Sequence, residues 1–400
     1  MARFPVGAAA AVVWVCCLLA ALAVTGSGLP AGVSNGQIAF DSGDLEGCPF
    51  YCRIEVMNGD GSGRHTVARG YLPVWSPDGS RLAYWGSRDN TARLMVLDLR
   101  TGRRRQFSRA DANHTMATPA WSPDGSQLAF VQPHGPKADV SVVTLSDGRV
   151  TRIAALVSRG SYDTYPSVPS PVAWSPDGRS IVYPDPAGDL AAVPASGGSA
   201  SVLISNAALE AACPSVGTCG GPDNPAFSPD GSMIAFDSGW RLDVVNSDGS
   251  NPRQLFPGTP HNVNIGGVPG PPLRWSNDGS QIAYGEVRQP CGYDAIACNA
   301  EGQPCPSQGH PCAGTAIVRV VVSDGTAAPL LPPQHQADFE NPAWSPNDHW
   351  LVFDRGDSIW RVRDNGTCLK QIAGELRGTR YSPRDPVWRP GAGSPTDECG

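Results

Sequence analysis

Imidazoles and carboxylates are the groups in this chain best suited to chemistry, and they are widely spread. The seven histidines stand at 65, 114, 134, 261, 310, 335 and 349. Three of them, His114, His261 and His335, fall in long polar segments that also carry Asn113, Asp163, Tyr165, Asn264, Asp338, Glu340 and Arg384. Imidazoles converging with Asp163, Asp338 or Glu340 would bind a metal ion and serve a metal-assisted lyase or hydrolase. Without convergence, the same donors, aromatic faces and carboxylates form a binding surface. No G-x-S-x-G elbow, H-E-x-x-H pair, P-loop or dinucleotide fingerprint occurs. No residue is therefore assigned a catalytic role, and no metal or cofactor is expected.

The cysteines read as a disulfide framework. Beyond residue 25 there are ten: Cys48, Cys52, Cys213, Cys219, Cys291, Cys298, Cys305, Cys312, Cys368 and Cys399. Zinc is the competing reading for Cys291 to Cys312, but seven-residue spacings are not those of structural zinc sites. Local bridges Cys48–Cys52 and Cys213–Cys219 are expected, with two more within 291–312. These last are either Cys291–Cys298 with Cys305–Cys312 or a nested pair. An even set of cysteines fits an exported chain. So does the N-terminus, where Arg3 precedes an apolar run from Val6 to Val24 and Ala21-Leu22-Ala23 offers a small-x-small cleavage site. Residues 1–25 read as a signal peptide, or as a retained signal anchor, since the run is long enough to span a bilayer.

The elements that must position these groups are repeats. A ten-residue string returns as WSPDGSRLAY from 75, WSPDGSQLAF from 121, WSPDGRSIVY from 174 and FSPDGSMIAF from 227. It returns again as WSNDGSQIAY from 275 and WSPNDHWLVF from 344. In each copy an aromatic ends one strand, Ser-Pro-Asp-Gly makes a tight turn, and an apolar triplet opens the next strand. A second turn follows in most units, as at Asn58-Gly59-Asp60-Gly61 and Ser146-Asp147-Gly148. Such a period with one hairpin signature per unit predicts an all-β propeller of four-stranded blades. The repeat carboxylates Asp78, Asp124, Asp177, Asp230 and Asp278 belong to turns.

The chain ends supply half a repeat each. Asp385-Pro386-Val387-Trp388 reads as an inner strand with nothing after it, and Ser34 to Phe40 as a turn and second strand with nothing before. Joined, they make a seventh blade, with 384–389 innermost beside strands from 36–68, and they close the ring without an open sheet edge. Six blades plus a stray strand is the alternative. The propeller domain spans 33–390, and 391–400 is a tail. The turn after the third strand shares a face with the turn that ends the inner strand. Cys368 and Cys399 therefore fall on one face and are expected to pair.

Topology also sorts the loops. The tight turns crowd one face, and nearly all the long connections leave the other, around the channel mouth. Binding loops set on a rigid scaffold gather in this way. A net charge of -7 without a clustered basic face argues against nucleic acid as a partner. Arg103-Arg104-Arg105 reads as a solvated outer edge.

The W-S-P-D-G-x-x-I-A-F repeat resembles that of TolB-type β-propellers and covers about 33–390. The chain leaves no room for the separate N-terminal domain expected of TolB itself. The same repeat occurs in periplasmic binding propellers, in the propeller domains of prolyl-oligopeptidase-like hydrolases, and in some polysaccharide lyases. The combined reading is an exported, monomeric, non-enzymatic binding module of the cell envelope or extracellular space. Its expected partner is a protein or a small-molecule or carbohydrate ligand, and it touches a membrane only if the N-terminal segment is retained. The alternative is a propeller-type lyase or hydrolase acting on carbohydrate.

Overall fold

Each W-S-P-D-G copy satisfies its own polar groups. In the second blade the Ser76 hydroxyl donates to Asp78 at 2.5 Å and accepts the Arg81 N–H at 2.9 Å, while Gly79 N–H bonds the Ser76 carbonyl at 2.8 Å. Gly79 sits at φ 65° and Gly125 at φ 67°, which L side chains rarely adopt. The turn carboxylates Asp124, Asp177, Asp230 and Asp278 lie below the usual carboxylate range, first because the serine two residues before each donates its hydroxyl to it. They are structural acceptors.

The computed structural model describes residues 36–43, 52–88, 91–111, 116–134, 137–157, 171–212, 221–238, 241–256, 273–287, 315–331, 339–355, 358–374, 382–391 and 399. Its strands form seven four-stranded antiparallel sheets, arranged as a seven-bladed propeller. Numbered around the ring, blade 1 joins the chain ends. Its inner strand, Ser382–Trp388, is followed by Gln37–Gly43, Arg53–Asn58 and His65–Arg69. The inner strands of blades 2 to 7 are Tyr71–Trp75, Ala120–Trp121, Ala173–Trp174, Pro222–Phe227, Arg274–Trp275 and Phe339–Trp344. The closing pairs are antiparallel, with Ile38 opposite Trp388 and Asp41 opposite Arg384. The seven-blade reading holds, and the six-blade alternative falls.

The anchor tryptophans do more than fill space. The Trp75 indole N–H donates to the Val387 carbonyl (3.1 Å), Trp121 to Val74 (3.1 Å), Trp174 to Ala120 (3.0 Å), Trp275 to Ala226 (3.0 Å) and Trp344 to Arg274 (3.2 Å). Each acceptor is the residue just before the preceding blade's anchor, so the bonds step around the ring from inner strand to inner strand. Phe227 has no donor to make this bond. Trp121→Phe should therefore keep the packing but orphan the Val74 carbonyl, lowering unfolding stability by about 1 kcal/mol in denaturant titration.

Cations also latch the blades together. Arg104 donates to the Val67 carbonyl of blade 1 at 2.7 Å, and Arg105 to the Leu145 carbonyl of blade 3 at 2.5 Å. The basic run is thus partly inter-blade strapping as well as outer edge. At the seam between blades 7 and 1, Arg361 is buried, donates to the Gly59 carbonyl at 3.0 Å and lies 4.6 Å over the Trp350 ring.

Two expected disulfides touch the described residues. Cys368 and Cys399 are bonded, with α-carbons 5.2 Å apart. Cys52 is also disulfide-bonded, to a partner outside the described residues. The other expected bridges, at Cys213, Cys219, Cys291, Cys298, Cys305 and Cys312, lie outside them, as does the 1–25 segment. Among the described residues no helix is long and apolar enough to cross a membrane.

Candidate functional site

Inner strands end at the tight turns, so they begin at the opposite, loop-rich face. Three begin alike. Residues Leu72, Asn224 and Asn341 have φ of 53°, 47° and 55°, and each precedes a proline. Each sits in a bulge that shifts the register against the second strand. A bulge re-aims the residues beside it. Here it turns polar groups onto a buried carboxylate of a second strand. Asn224 Nδ2 donates to Asp237 at 2.9 Å and Asn341 Nδ2 to Asp354 at 2.8 Å. The Leu72 backbone N–H donates to Asp41, in the neighbouring blade, at 2.9 Å.

Asp41, Asp237 and Asp354 each follow the phenylalanine of an Ile-Ala-Phe-type triplet, and all three are buried. Opposite them in the ladder stand Arg384, Asp223 and Glu340, each four residues before its blade's anchor. The two expected site residues that lie within the described strands, Glu340 and Arg384, therefore share one tier at the rim of adjacent blades. Asn113, His114, Asp163, Tyr165, His261, Asn264, His335 and Asp338 lie outside the described residues.

In blade 5 the tier continues into the third strand, Leu242–Asn246. Asp243 pairs with Arg241 at 2.5 Å and accepts the Ser238 hydroxyl. Burial, opposed by those two donors, raises the Asp243 carboxyl above its ordinary value. Asp237 stands well above the carboxylate range, first because it is buried and then because Asp223 and Asp243 carry like charge. In blade 2 the equivalent position is Tyr71, whose hydroxyl is held far above its ordinary value by burial and by the charge of Asp41.

A small pocket opens between the inner strands. It is lined by Pro386 and Val387 of blade 1, Leu72 and Pro73 of blade 2, Thr118 of blade 3, Arg274 of blade 6 and Asn341 of blade 7. Its wall is mostly apolar, with polar groups from Thr118, Arg274 and Asn341. Among the described residues no group of three or more His, Cys, Asp or Glu is placed to hold a metal ion. The buried carboxylates Asp41, Asp237, Asp243 and Asp354, with half-buried Asp223 beside them, were missed from sequence. Their signal was there in Phe40-Asp41, Phe236-Asp237 and Phe353-Asp354, and in Asn224-Pro225 and Asn341-Pro342.

A family model described as the TolB beta propeller domain matches residues 32–189. No curated protein matches the chain. A solved structure of a candidate 6-phosphogluconolactonase from Bacteroides fragilis is 14% identical, covers 90% of this chain and 99% of that one, and superposes with a TM-score of 0.55. The corresponding Bacteroides uniformis protein is 15% identical over 88% of this chain and 100% of that one, with a TM-score of 0.53. TolB from Acinetobacter baumannii is 16% identical over 90% of this chain and 68% of that one, with a TM-score of 0.50. Identities this low speak to the fold alone. Repeat, ring and family match agree: this chain is a seven-bladed β-propeller, and its residues 32–189 match the TolB β-propeller domain.

Proposed function

We propose that the protein is an exported, non-enzymatic binding module whose loop-rich face takes a protein, small-molecule or carbohydrate ligand around the channel mouth. One observation carries this reading. Every described turn between inner and second strands is short and bonded within itself, while the longest connections all start from strand ends at the opposite face. These include 158–170, 257–272 and 288–314. The blades are the scaffold, and the strand ends that launch the long connections share one side of it. Disulfides at Cys368–Cys399 and Cys52 support an oxidising compartment.

The test is ligand capture. Wild type, Tyr165→Ala, His261→Ala and Glu340→Ala are offered to a glycan array and to an extract of envelope proteins. The loop variants should melt like wild type and lose about tenfold in affinity for whatever wild type retains, or ~1.4 kcal/mol. Gly125→Val should do the reverse, because its turn needs φ 67°. Equal loss of folding in both sets would show that the loops are structural and sink the reading.

A further inference from the structure

The rim of blade 5 places two carboxylates face to face. Asp223 on the inner strand is the direct ladder partner of Asp237 on the second strand. Asp237 is 5% exposed. Its Oδ2 accepts from Asn224 Nδ2, and its Oδ1 is buried with no hydrogen-bond partner among the described residues. Asp223 Oδ1 accepts the Asn224 backbone N–H at 3.1 Å, so one asparagine binds both acids. An ionised carboxylate can only accept, and a buried one with an idle oxygen beside a like charge is costly. A proton removes one charge and turns the idle oxygen into a donor or a neutral group.

We propose that Asp223 and Asp237 form a proton-binding site that holds one proton through the neutral range, making the loop-rich rim of blade 5 tighter in acid than in alkali. Other charged groups stand around the pair. Asp243 and Arg241 come from the third-strand side and are paired with each other. Arg274 lies on the next inner strand, which packs against the one carrying Asp223. The second strand of blade 4, Ser180–Pro184, packs on the other side and brings only Tyr183. In the same tier blade 1 pairs Asp41 with Arg384, while blade 7 sets Glu340 opposite Asp354, so the tier takes either an acid or a base opposite its buried carboxylate.

The sign follows from linkage. The native state binds the proton more tightly than the unfolded chain, whose carboxyls titrate at about pH 4. Stability therefore falls as pH rises from there to the raised value of the pair, then levels. This holds whatever the loops bind.

The experiment compares full-length wild type with Asp237→Asn, which mimics the neutral acid. Wild type should lose several degrees of melting temperature relative to the variant between mildly acidic and mildly alkaline buffer. Infrared spectra of wild type at neutral pH should show the carbonyl band of a protonated carboxyl group. That band should bleach in alkali and be missing from the variant. If Asp237→Asn does not fold, Asp223→Asn takes its place: removing the like charge should lower the pH at which the wild-type band bleaches. Parallel melting profiles across pH, or no protonated carboxyl at neutral pH, would overturn the proposal. So would stabilisation of wild type alone by calcium, magnesium or manganese, which would make the pair a cation site.

Discussion

Deleting residues 382–400 is expected to abolish cooperative folding of the ring. The deleted inner strand carries the chain from blade 7 into the sheet of blade 1, where it pairs with Gln37–Gly43. Trp388 is 7% exposed and packs with Ile38, Phe40, Met57, Trp350 and Val352. Losing such a buried aromatic alone costs about 3–5 kcal/mol. The deletion also removes the Val387 carbonyl that accepts the Trp75 indole, and Arg389, which donates to the Gly79 carbonyl at 2.7 Å. Together with the lost backbone pairs, this is comparable to the ~5–15 kcal/mol that holds a typical domain. Circular dichroism should show no sharp melting transition, and sedimentation should show association through the exposed edge of Gln37–Gly43. A truncated protein melting within a few degrees of full length would refute the closure.

Loss of the Cys368–Cys399 bridge should be the next largest effect. The two residues are 31 apart in sequence. On the chain-entropy account, closing a loop of that size in the unfolded chain contributes roughly 3–4 kcal/mol. The bridge also fixes the inner strand of blade 1 to blade 7 at both ends, since Cys368 just precedes the outer strand Lys370–Ala373 of blade 7. The strand is thereby held near its seam before it pairs with Gln37–Gly43. Cys399→Ser should melt several degrees below oxidised wild type, and added reductant should erase that difference. Equal melting of oxidised wild type and variant would show that the tail bridge adds nothing.

The repeat made the architecture legible because each blade is specified locally. Ser-Pro-Asp-Gly satisfies its own turn, and the apolar triplet after it makes the neighbouring strand, so recognising one copy recognises the blade. Closure was legible because the two half-repeats are complementary, and the tail disulfide because alternating strands fix which face each turn occupies. The loop residues were placed on one face by the same logic, but their convergence depends on contacts between blades that no local pattern encodes.

The sequence by itself thus determined the blade, its number and its closure, all of which rest on period and turn chemistry. Only the tertiary structure decided what joins the blades. The Trp75 indole meets the Val387 carbonyl across 312 positions of chain, and Arg361 meets Gly59 across 302. It also decided that Asp237 is buried opposite a second acid, half-buried Asp223. In sequence, Asp237 looks like any aspartate after a phenylalanine. Its meaning comes from burial and from the partner across the ladder, and a carboxylate's charge is decided by those surroundings.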